Sequence, residues 1–69
     1  MEQRQELSYK KRLYTLKEAG EFLGRSIYSV RSLIWNGELP IVKSSRGRKQ
    51  WLDINDLNMF IEKNKVKIQ

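Results

Sequence analysis

TLKEAGEFLGRSIYSVRSLIWNG, residues 15–37, is the stretch that decides the architecture. Thr15 is followed three residues later by Glu18, a capping-box pattern. The hydroxyl takes an otherwise orphaned helix amide, and the carboxylate reaches back to the cap's own amide. Leu16, Ala19, Phe22 and Leu23 recur at helical spacing and form one apolar stripe. Gly24 is the residue type that closes helices in the left-handed region. The spacing therefore predicts a short helix over 16–23. Only Arg25 separates Gly24 from Ser26, which can cap a second helix. Val30, Leu33 and Ile34 mark the buried stripe of that helix, with Ile27 at its first turn, and Asn36-Gly37 stops it. Two helices joined by so tight a turn must cross steeply, as in the helix-turn-helix unit.

Beyond Gly37 the period changes. Glu38-Leu39-Pro40-Ile41-Val42-Lys43 reads as a strand and runs into the polar segment Ser44-Ser45-Arg46-Gly47-Arg48-Lys49. Gln50-Trp51-Leu52 then returns to bulky side chains, so two short strands around a loop predict a hairpin. Pro40 has no amide hydrogen and belongs at a strand's start or on an edge. Alternation puts Trp51 on the face opposite Leu52, so Leu52 is expected to be buried and Trp51 partly exposed. Asp53 opens a last helix, with Asp56 adding negative charge in its first turn. Leu52 and Leu57 have the spacing of a hydrophobic staple. Leu57, Phe60 and Ile61 face inward with Met59 off that stripe, and the helix frays within Lys63–Lys67. The order predicts an α+β, mainly helical fold: a winged helix-turn-helix, with a two-stranded basic wing and a third helix. The domain is expected over residues 14–64, between a polar basic tail at 1–13, which includes Lys10-Lys11-Arg12, and a short tail at 65–69.

Size and composition narrow the chemistry. With 69 residues the chain supports one modest core and no deep cleft between subdomains. It has no Cys and no His, which removes thiolate metal sites, disulfides, thiol nucleophiles and the commonest general base. Every Asp and Glu has a capping or surface explanation, so no catalytic residue, metal site or cofactor is expected, and the protein reads as a non-enzyme. No apolar run resembles a signal peptide or approaches the ~20 residues of a membrane span. A cytoplasmic protein without membrane partners is the expectation.

Charge points to the partner. Of the formal net charge of +6, residues 43–52 carry +4, because Lys43, Arg46, Arg48 and Lys49 stand there without an acid. Residues 15–42 and 53–69 are each neutral. Such concentration is the footprint of a polyanion contact rather than of general solubilising charge.

At residue level, Tyr14-Thr15-Leu16-Lys17-Glu18-Ala19 resembles the opening of the excisionase-like, MerR-related small DNA-binding domains. So do Phe22-Leu23-Gly24, Ser26 with Ser29-Val30, Leu33-Ile34, Asn36-Gly37-Glu38-Leu39-Pro40 and Asp56-Leu57, in order, across residues 14–61. Arg25, Arg31-Ser32 and Trp51 depart from the pattern. The resemblance implies sequence-specific binding of double-stranded DNA, with helix two in the major groove and the hairpin as a wing. It also implies an excisionase-type role, positioning and bending DNA for a recombinase or integrase, with cooperative loading on repeated sites.

The candidate DNA-binding residues form two groups. On and before helix two they are Arg25, Ser26, Tyr28, Ser29, Arg31, Ser32 and Trp35, with Arg31 suited to the N7 and O6 acceptors of guanine. On the wing they are Lys43, Arg46, Arg48 and Lys49, suited to phosphates or a narrow minor groove. Without coiled-coil heptads or a long dimerisation helix, a monomer in solution is expected. The alternatives are a small transcription regulator using the same surface and, in another class, an adaptor or antitoxin-like protein-interaction module built on the exposed aromatics.

Overall fold

A computed structural model describes residues 11–68. The chain runs β1 (Leu13–Tyr14), α1 (Leu16–Leu23), α2 (Ile27–Trp35), β2 (Val42–Lys43), β3 (Gln50–Asp53) and α3 (Ile54–Lys63). Residues 1–10 of the expected N-terminal tail, Lys10 among them, and Gln69 lie outside the described residues.

Local chemistry fixes the helix boundaries where the spacing placed them. The Glu18 amide donates to Thr15 Oγ1 at 3.1 Å and the Thr15 amide to Glu18 Oε1 at 2.9 Å, completing the capping box. At the other end Gly24 takes φ 70°, a left-handed value that an L side chain resists. The Gly24 amide then donates to the Glu21 carbonyl at 3.3 Å and the Arg25 amide to the Gly20 carbonyl at 2.8 Å. Ser26 caps α2 by accepting from the Ser29 amide at 3.1 Å. That helix closes with the same paired pattern: Gly37 donates to Ile34 at 3.0 Å and Glu38 to Leu33 at 2.8 Å. Asp53 caps α3, its Oδ1 accepting from the Asn55 amide at 2.9 Å.

The sheet has the order β1-β3-β2, antiparallel throughout. Leu13 lies opposite Asp53 and Tyr14 opposite Leu52, while Val42 lies opposite Trp51 and Lys43 opposite Gln50. The wing is thus the outer part of a three-stranded sheet, not a free two-stranded hairpin, because β1 pairs with the other side of β3. The expected strand over 38–43 shortens to Val42–Lys43. Glu38–Ile41 instead folds back from the end of α2, with the Leu39 amide also donating to the Leu33 carbonyl at 3.3 Å. Pro40, exposed, sits in this connection.

One core joins the layers. Ala19, Val30, Leu33, Leu39, Leu52 and Leu57 are buried, and Tyr14, Leu16, Leu23, Ile34, Ile41, Ile54 and Phe60 pack against them. A fully buried Leu or Val contributes about 1.5–3 kcal/mol. Phe22 departs from its expected inward position: it is 42% exposed, and its ring meets that of Tyr14 at 5.8 Å between centroids. The apolar stripe of α1 is therefore narrower than its spacing suggests, and β1 supplies the partner for its edge.

Gly20 holds a position of close approach. A Cβ there would lie 2.7 Å from the Arg25 carbonyl oxygen, a backbone atom of the turn between α1 and α2. Gly20→Ala should destabilise the fold by about 1–3 kcal/mol through overpacking, despite alanine's better helix propensity. Urea unfolding checks this, and a midpoint equal to that of the wild type would show that the turn yields freely.

Candidate nucleic-acid interface

Burial of Val30 and Leu33 orients α2, and the opposite side of the helix faces water. Tyr28, Arg31, Ser32 and Trp35 are exposed there. Their i, i+3, i+4, i+7 spacing puts them on one side of the helix. Tyr28 is 74% and Trp35 89% exposed. Large aromatics are normally kept from water, so two of them bracketing an arginine on one open face make this side of the helix a candidate contact surface.

Arg25, Ser26 and Ser29 occupy a different place. The Ser26 hydroxyl is committed to its cap, and half-buried Ser29 accepts from Arg25 Nη1 at 2.6 Å. The Arg25 guanidinium also lies over the Phe60 ring, 5.8 Å from its centroid. The seven residues grouped by sequence thus divide into an open face of four and a bonded cluster of three at the N-terminal end of α2. Phe60 is the contact of this cluster that the sequence did not point to. Its spacing gave it only an inward-facing role, and nothing local ties it to a turn so far away along the chain.

The wing places Lys43 at the end of β2, and Arg46, Arg48 and Lys49 in the loop that returns to β3. All are exposed. The Ser44 hydroxyl donates to the Arg46 carbonyl and tightens the loop. Among the described residues, ion pairs join Lys11 to Glu18, Arg12 to Asp53 at 3.0 Å, and Lys65 to Glu62 at 2.9 Å. None of these reaches the wing, so no carboxylate among the described residues is ion-paired with its cations. Trp51, half-buried, lies across the ladder from Val42 and adds no charge.

Lys11 and Arg12 fell in the expected tail, yet both are tied to the domain. Arg12 Nε and Nη2 donate to Asp53 Oδ2 at 3.1 and 3.0 Å, and the Arg12 carbonyl accepts from the Ile54 amide at 2.8 Å. The Arg12 hydrogen bonds, followed by the Asn55 amide, hold the Asp53 carboxyl below its ordinary pKa. The hydrogen bond from Lys11, followed by the Thr15 amide, does the same for Glu18. A depressed carboxylate adds stability above its unfolded pKa and loses it as pH falls through the folded value. The melting temperature should therefore decline as pH drops below about 4. The combined Glu18→Gln, Asp53→Asn variant should show a shallower acid decline in a pH series of thermal melts, since Asn keeps the helix cap. An acid limb identical to that of the wild type would refute this origin.

Among the described residues no helix is long and apolar enough to cross a membrane, and no cluster of acidic side chains is disposed to hold a metal. The surface offers a helix face with hydrogen-bonding and stacking groups, and a separate cationic loop. Residues 13–65 match the model of a family described as a helix-turn-helix domain, a span that runs from β1 through α3. Comparisons with curated proteins and with solved structures gave no match.

Proposed function

Since the chain belongs to this family of DNA-binding helix-turn-helix domains, we propose that it is an excisionase-type architectural factor that positions and bends duplex DNA for a recombinase. The observation that supports this reading is the pairing of an open α2 face with an exposed cationic wing that no ion pair among the described residues engages. Helix α2 enters the major groove with Tyr28, Arg31, Ser32 and Trp35 toward the bases, Arg31 reading guanine. Arg25, Ser26 and Ser29 lie at the entry of the helix, near the backbone. Lys43, Arg46, Arg48 and Lys49 follow the phosphates or the minor groove. The protein makes and breaks no bonds; its action is to change the path of the DNA.

One recognition helix and one wing read only a short site, which by itself gives limited selectivity. Several copies side by side supply the remainder, and the bend that adjacent wings impose costs of order 1–6 kcal/mol, offset by the added contacts. The expected result of a gel-shift titration on a multi-site fragment is stepwise, cooperative loading of a monomer. Circular-permutation analysis should show a bend that grows with occupancy. A stable free dimer forming a single tight complex on unbent DNA would overturn this reading in favour of a transcription regulator working through the same surface.

A further inference from the structure

The cations that the structure holds in place fall into two kinds. Lys11, Arg12 and Lys65 are each fixed by a carboxylate, so their charge is neutralised as they are ordered. Arg25 is fixed differently. Its Nη1 donates to the Ser29 hydroxyl at 2.6 Å, and its guanidinium lies 5.8 Å from the centroid of the Phe60 ring on α3. Both partners are uncharged. The side chain is exposed, and no ion pair to it exists among the described residues. Arginine loses considerable rotamer freedom when it docks on a ligand. A ring face and a hydroxyl remove that freedom beforehand and leave the full positive charge available. Ser29 is itself oriented by its own amide, which donates to the Ser26 cap at 3.1 Å.

We propose that Arg25 is a pre-positioned contact to a single DNA phosphate at the entry of α2, and that Phe60 is a positioning residue that holds it there. The proposal rests on the DNA-binding reading above. It adds that α3, whose described role is structural, sets the geometry of a backbone contact through one aromatic face. Arg25 reaches the phosphate with the guanidinium edge that Ser29 leaves free. The contact fixes the register of α2 on the duplex without carrying sequence information.

The test is a double-mutant cycle of duplex affinity, read across a salt series. Arg25→Ala should weaken binding about tenfold on every DNA sequence and flatten the log–log salt slope by about one unit. Phe60→Leu, which keeps an apolar side chain on α3, should weaken binding about two- to fivefold with the slope nearly unchanged. Phe60→Tyr, which restores the ring, should recover wild-type affinity. In the Arg25→Ala background, Phe60→Leu should have no further effect. In the free protein the Arg25 δ-protons should show an upfield ring-current shift that Phe60→Leu removes and Phe60→Tyr retains, a readout independent of global stability. Additive losses, or an unchanged salt slope in Arg25→Ala with wild-type binding intact, would overturn this proposal alone. Absence of any salt-dependent duplex binding by the wild type would overturn it together with the DNA-binding reading.

Discussion

Replacing Arg46, Arg48 and Lys49 together by alanine should cut DNA affinity on the order of a hundredfold near 0.1 M salt. Each phosphate neutralised releases close to one counterion, so three lost contacts should flatten the log–log salt slope by about two to three units. The loss should be nearly the same on specific and unrelated duplexes, because phosphate contacts carry no base information. The fold should be untouched: all three side chains are exposed, and among the described residues no ion pair engages them. Fluorescence anisotropy at several salt concentrations, with far-ultraviolet circular dichroism as a control, measures both. An unchanged slope would remove the wing from the interface. A wild-type slope near zero would favour a protein-interaction module, whose binding tolerates salt and depends on Trp35 or Trp51.

The largest stability loss is expected at Leu52. It is fully buried on the central strand, lies opposite Tyr14 in β1, and belongs to the core that joins both helix layers. Leu52→Ala removes about 2–5 kcal/mol through lost transfer energy and the cavity left behind. A single core in a domain this small rarely supplies more than about 3–5 kcal/mol, so the variant should be largely unfolded at 37 °C. Thermal melts followed by circular dichroism check this. A decrease in melting temperature of only a few degrees would mean that the core collapses to refill the site.

The helix-turn-helix was legible because its determinants are local. Thr15, Glu18, Gly24, Ser26 and Asn36-Gly37 each act on amides or carbonyls within a few residues, and the structure uses every one of them at its expected place. What escaped was set by distant pairing. Strand β1 is two residues long and has no period of its own; it exists because β3 offers a free edge. Arg12 likewise finds Asp53 across 41 positions of chain. The spacing puts Leu39 in a strand, but the closure of α2 turns it into the core first. At the candidate interface, residue type and spacing pointed to residues of α2 and to cations of the wing that the structure leaves exposed. They did not show that Ser29 is engaged by Arg25, or that Phe60 lies beneath the guanidinium, since both follow from how α3 packs.

The position of the wing has a consequence for how such a protein diversifies. Residues Ser45–Lys49 are all exposed, and the ladder that holds them ends at the Lys43–Gln50 pair. Length and composition beyond that pair can drift without altering a core side chain. The outer face of α2 is equally separate from the Val30 and Leu33 beneath it. On the proposed reading, the cations of the wing and the residues of the α2 face can therefore change independently of one another. If the proposal holds, insertions in the wing loop would alter reach and substitutions on the α2 face would alter the target, while the scaffold between the two stays constant.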